Sequence, residues 1–208
     1  MIDYGRLTMP LGEAIFTQRS LRRFSPAPIP VEDIRLMMEA AVRAPNGGNM
    51  QIARFLVVTD RARIQEFGRL YHEAWWAKRR DQKGWTKPSD IPPEEKSYQS
   101  AAGLADAMKD VPCVVLAFAM PPGSADSVIP AVQNLMLAAR ALGIGSVPTT
   151  LHPQVMDRFT AMFGIPKDVR FHLCVPLGYP LDKFGGSRRR PTAETTYLDR
   201  WGGSVPWS

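Results

Sequence analysis

The stretch Thr17-Gln18-Arg19-Ser20-Leu21-Arg22-Arg23-Phe24-Ser25 gathers three guanidinium groups and several hydroxyls beside an aromatic anchor. A planar guanidinium gives paired, charge-assisted hydrogen bonds to a phosphate, and neighbouring hydroxyls suit a sugar-like chain. Alone, such a run is more often a solvated helix end, so its company decides its meaning. Three other polar, backbone-flexible sites follow: the Asn46 to Gln51 loop, the Val147 to Leu151 turn and the late run Arg188-Arg189-Arg190. The chain offers no convincing nucleophile-base pair or carboxylate dyad. His72, His152 and His172 are scattered without metal-ligand spacing, and no metal is expected.

These residues need elements to position them. Pro10 to Gln18 reads as a short helix ending at the arginine run, and Ser25 to Pro30 is too proline-rich to be anything but extended. Glu32 to Ala44 carries Ile34, Met37, Met38, Ala41 and Val42 at helical spacing, with acidic residues in its first turn. Pro45 to Asn49 stops that helix, and Arg54 to Thr59 is a strand candidate. Between this strand and the near-continuous apolar run Val111 to Ala119 lies an excursion of about 61–109, two helices joined by a Pro/Gly-punctuated segment. Long connections of this kind often serve as lids. Asp126 to Leu142 is a largely apolar helix, Gly143 to Thr150 leads through a short strand into a hydroxyl-bearing turn, and Pro153 to Phe163 is helical. Arg170 to Leu177 is the last core strand, before a polar tail, about 185–208, that carries Trp201 and Trp207.

With 45% hydrophobic and 22% charged residues in 208, the chain can bury one core, and no linker divides it. Cys113 and Cys174 sit in apolar runs and read as buried thiols. No apolar run approaches the roughly 20 residues that cross a bilayer, and the expectation is a soluble, cytoplasmic protein without a membrane partner. A net charge of +6 is concentrated at residues 19 to 23, 78 to 83 and 188 to 190. None of these runs has the spacing of a nucleic-acid module, so no nucleic-acid partner is expected.

In their order and intervals these pieces resemble the nitroreductase family of FMN-dependent oxidoreductases, over nearly the whole chain. The resemblance rests on Arg19-Ser20-x-Arg22; on Ala44-Pro45-Asn46-Gly47-Gly48-Asn49-Met50-Gln51 before the first strand; on Gln133-Asn134-Leu135 and Ala141-Leu142-Gly143-Ile144-Gly145-Ser146; and on Leu177-Gly178-Tyr179-Pro180 followed by Arg188-Arg189-Arg190-Pro191. It implies a single α+β domain over 1–208, with a mixed central β-sheet flanked by helices, working as an intertwined homodimer whose tail embraces the partner. It also implies FMN as cofactor, NADH or NADPH as reductant and a ping-pong cycle that reduces a nitroaromatic, quinone or similar flat acceptor.

Carried over by position, Arg19 and Ser20 would hold the phosphate and ribityl end of FMN, and Arg22 would reach the pyrimidine edge. Asn49 and Gln51 would approach from the neighbouring subunit, and Asn46 stands where relatives commonly have a small hydroxyl residue. Pro148, Thr149 and Thr150 match the segment against one flavin face, while Arg188 and Arg189 match the late basic residues that close on the phosphate. Gln18 departs from the pattern, since many relatives carry a second arginine there. Tyr71, Trp75 and Trp76 on the expected lid would suit a flat aromatic substrate, or simply pack a helical hairpin.

Two specialised branches compete. A deiodinase fixes its substrate with a lid Glu, Tyr and Lys, but here Glu73 is followed one helical turn later by Ala77. The dimethylbenzimidazole-synthase branch carries a Met-Gln-Pro-Trp run that reads Met50-Gln51-Ile52-Ala53 here. A deazaflavin cofactor and a non-enzymatic flavin or nucleic-acid binding protein are the remaining alternatives.

Overall fold

Strand β2 (Cys113–Ala119) is buried along its whole length, which explains its near-continuous apolar sequence. In the computed structural model, which describes residues 3–207, it lies at the centre of a four-stranded sheet. β1 (Ala53–Val58) flanks it on one side and β4 (Arg170–Gly178) on the other, with β3 (Gly145–Ser146) at the far edge. Every strand pairing is antiparallel. The mixed character expected of the sheet is confined to one isolated parallel bridge, Ser20 with Ser146.

Alternation along β2 divides the core in two. Cys113, Val115, Ala117 and Ala119 pack with α2 (Val31–Val42) and α5 (Val128–Ala141) on one face. Val114, Leu116 and Phe118 pack on the other face with α3 (Arg61–Lys83), α4 (Lys96–Ala107) and α6 (Met156–Phe163). The fold is therefore α+β with three layers. α1 (Leu11–Thr17) precedes the arginine run and touches α5. Both thiols are fully buried, and burial pushes that of Cys113 up to about 12.

The connection between β1 and β2 is itself a core layer. Asp60 caps α3 by accepting a hydrogen bond from the Arg63 amide at 2.9 Å, and Gly84 at φ 73° ends it in the left-handed region. Between these caps Ile64, Phe67, Tyr71, Ala74 and Trp75 form the buried stripe. The end of α4 tightens into a 3-10 turn at Met108–Asp110. That turn lies against α3 so closely that a Cβ added at Gly68 would stand 2.3 Å from the Lys109 amide nitrogen.

Gly68→Ala separates helix propensity from packing. Propensity alone stabilises by about 1 kcal/mol, whereas overpacking against backbone costs about 1–3 kcal/mol. Chemical denaturation should show net destabilisation; a more stable variant would contradict the contact.

Candidate functional site

Residues 18–25 run extended along the far edge of the sheet, and their backbone is tied at several points. Leu21 N donates to Ser146 O at 3.1 Å, Ser25 N to Tyr179 O at 2.8 Å, and Leu181 N to Arg23 O at 3.0 Å. Leu21 points inward and is 2% exposed. Phe24 wedges over Gly178, where an added Cβ would come within 2.8 Å of the Phe24 Cβ. The backbone is thereby fixed while the polar side chains project outward.

Those side chains divide by partner. Arg23 is held by Asp182 through both Nε and a terminal nitrogen, which removes it from the list of free anion ligands. Arg19 and Arg22 have no carboxylate partner among the described residues. Burial lowers the pKa of Arg22; the nearby Tyr71 phenol opposes that shift and the Arg19 cation adds to it. A half-buried cation beside a second cation is an arrangement that an anionic ligand would relieve.

Two cavities share this wall. One, of about 630 Å³, joins Arg19, Ser20 and Arg22 to Pro148, Arg188 and Arg189. Gln18 lines it too, donating to the Met136 sulfur at 3.8 Å. The tail reaches it because Gly185 N bonds Thr17 O at 3.1 Å and the Phe184 ring lies under the Arg140 guanidinium, 4.2 Å from its centroid. The other cavity, of about 970 Å³, adds Lys96, Ser97 and Ser100 from α4 and Lys183. These four were missed in the sequence. The available signal was the stripe Lys96, Ser100, Gly103 and Ala107 on one helical face, small or polar where packing would demand bulk.

The turn after β3 is held from beneath. Thr149 and Cys174 exchange backbone hydrogen bonds at 2.9 and 2.8 Å. The Thr149 Oγ1 lies 3.0 Å from the Tyr71 hydroxyl, and Thr150 Oγ1 accepts from Lys78 Nζ at 3.1 Å. Pro148 and Thr150 are exposed and Thr149 is half-buried.

The lid aromatics need correction as an open binding surface. Tyr71 is 1% exposed and Trp75 is 8% exposed, so both are core residues, Tyr71 supporting the threonine turn and Trp75 stacking with Arg79. Burying their large apolar rings in the core outweighs leaving them open to a cleft. Trp76 is half-buried and lines a separate cavity of about 480 Å³ with His72, Glu73 and Lys87.

Asn46, Asn49 and Gln51 line neither arginine cavity of their own subunit. The Asn46 side-chain oxygen accepts from the Gln51 amide at 2.9 Å, which closes the loop. Gly48, Asn49 and Gln51 have φ of 56°, 53° and 50°. Two non-glycine residues in the left-handed region within one exposed loop store backbone strain, a feature that clusters at ligand sites.

The sequence model of the nitroreductase family matches residues 15–179. The chain belongs to the nitroreductase family. An Archaeoglobus fulgidus protein named as an NADH dehydrogenase/NAD(P)H nitroreductase is 29% identical over 90% of this chain and 96% of its own length. An iodotyrosine deiodinase of Thermotoga neapolitana is also 29% identical, over 79% of this nitroreductase-family chain and 86% of its own. Among solved structures, an oxidised iodotyrosine deiodinase bound to FMN and 3-iodo-L-tyrosine superposes with a TM-score of 0.71 at 24% identity, covering 88% of this chain and 96% of that one. The α+β architecture is thus that of the nitroreductase fold.

Tyr71→Phe keeps the buried ring and removes the hydroxyl that meets Thr149. The expected cost is about 0.5–1.5 kcal/mol, measured by chemical denaturation, with near-native secondary structure. Unchanged stability would mean that the contact adds nothing to the turn.

Proposed function

We propose that the chain is an FMN-dependent NAD(P)H oxidoreductase that works as a homodimer and reduces a nitroaromatic, quinone or similar flat acceptor. The observation that carries this reading is a group of cations with no salt bridge among the described residues, Arg19 and Arg22 lining one cavity together with Arg188 and Arg189. FMN fits that wall on chemical grounds. Its phosphate is an anion, its ribityl chain takes hydroxyl partners such as Ser20, and its pyrimidine carbonyl becomes electron-rich on reduction.

Bound FMN supplies the hydride chemistry. Arg19, Arg188 and Arg189 hold the phosphate against a charge that water would otherwise solvate, and Arg22 favours negative charge at the pyrimidine edge. Ser97 and Ser100 lie where the same wall continues under α4 and extend the cleft for a ring. Pro148 and Thr150 present an exposed face against which a planar ring packs. Asn49 and Gln51 of a second copy complete the site, which accounts for a strained loop remote from the arginines of its own subunit.

Exposed apolar side chains support the dimer. Leu11 and Phe16 on α1, Val31 and Val42 on α2, and Ile129 on α5 are all exposed, Phe16 at 77%, and Trp201 in the tail is 89% exposed. Large apolar side chains exposed in this number call for a partner surface, and a second copy supplies it. The general reductase reading is favoured over deiodination by Glu73, whose carboxylate is taken by Arg158 and Gln154 beside a different cavity.

The purified protein should take up FMN, turn yellow and oxidise NADH or NADPH when a nitroaromatic or quinone is added. A protein that stays colourless with excess FMN would overturn the reading. Arg19→Ala should weaken FMN about 10- to 100-fold, the worth of a charge-assisted contact of about 1.5–3 kcal/mol, with little change in thermal stability because Arg19 is exposed. Equal FMN affinity would refute its phosphate role.

A further inference from the structure

Tyr71 and Lys78 lie two turns apart on one face of α3, and each meets one hydroxyl of the Thr149-Thr150 turn. The two contacts do different things. Tyr71 is buried at 1% exposure, and with the Thr149–Cys174 backbone bridge it fixes the frame of the turn from within the core. Lys78 is half-buried and meets Thr150 where that residue is exposed, two positions after Pro148 of the arginine cavity.

Hydrogen-bond inventory then sets the direction of the outer pair. An ammonium has three donors and no acceptor, so Thr150 Oγ1 must accept from Lys78. The threonine O–H is left to donate elsewhere. Lys78 has no carboxylate partner among the described residues, where its one side-chain hydrogen bond is to Thr150. An ionised donor strengthens the hydrogen bond passed on by the group that it polarises, and exclusion of water by a bound ring strengthens it further.

We propose that Lys78 is a positioning residue for bound flavin, turning the Thr150 hydroxyl outward as a donor and thereby favouring the electron-rich reduced flavin over the oxidised form. This rests on the FMN reading above and assigns to α3 a part that neither a packing helix nor a mobile lid would have. Neither Lys78 nor Tyr71 needs to touch the flavin. Lys78 acts through Thr150, and Tyr71 keeps the turn where Lys78 can reach it.

The test is the midpoint potential of bound FMN, with separate dissociation constants for oxidised and reduced FMN, in wild type, Lys78→Met, Lys78→Arg, Thr150→Val and the Lys78→Met/Thr150→Val double variant. Lys78→Met should weaken reduced FMN about tenfold and oxidised FMN by less than about twofold. For a two-electron couple that ratio is a shift of about 30 mV to more negative potential. Lys78→Arg should restore the wild-type ratio, and in the Thr150→Val background Lys78→Met should add no further shift. A wild-type protein that takes up no FMN overturns both readings. Tight FMN binding with an unchanged potential in Lys78→Met overturns this one alone, as does a shift of equal size without the Thr150 hydroxyl.

Discussion

The partial burial of a guanidinium without a carboxylate partner, Arg22, is the constraint on which this structure turns. Arg22 is partly withdrawn from water, which lowers its pKa, and the nearby Arg19 cation adds a smaller effect in the same direction. Without a ligand that arrangement opposes folding. The fold accommodates it by tying the backbone rather than the charges: Leu21 to Ser146, Ser25 to Tyr179 and Leu181 to Arg23, with Leu21 buried and Phe24 wedged over Gly178. Of the three arginines in the run, Arg23 alone has a carboxylate partner among the described residues. The edge of the sheet therefore acts as a rigid rail that presents two cations to a cavity, and the incoming tail adds two more.

The second half of the site hangs from the face of the sheet that α3 covers. α3 reaches the threonine turn because it is a core layer, capped by Asp60 and Gly84 and packed through Phe67, Tyr71 and Trp75. Its contacts with Gln154, Arg158 and Met162 O fasten the segment that follows the turn as well. The rail is thus fixed along the edge of the sheet and the turn against α3, which is how Arg19, Pro148 and Arg189, far apart in sequence, come to line a common cleft.

Much of this was legible in local pattern. The unbroken apolar run of β2 announces a strand covered on both faces, and the stripe from Ile64 to Trp75 announces α3. The arginine run, the glycine-rich loop and the late arginines were recognisable by order and interval. What pattern could not carry was partnership across the fold. Nothing local says that Arg23 is neutralised by Asp182, that Tyr71 lies beneath Thr149, or that Lys78 meets Thr150. The lid aromatics illustrate the reason. A tryptophan at helical spacing looks the same whether its face meets a substrate or a core, and only packing between distant elements decides for Trp75. The polar stripe of α4 was overlooked for the converse reason, since small residues on a helix suggest close packing as readily as a cavity wall.

The central claim is that the unpaired cations are arranged for the phosphate of a flavin. Comparing the binding of FMN with that of riboflavin, which lacks the phosphate, tests it most directly. The account predicts FMN tighter by about a hundredfold, the worth of one to two charge-assisted contacts, with the difference shrinking as salt is raised. Equal affinity for the two flavins would contradict it.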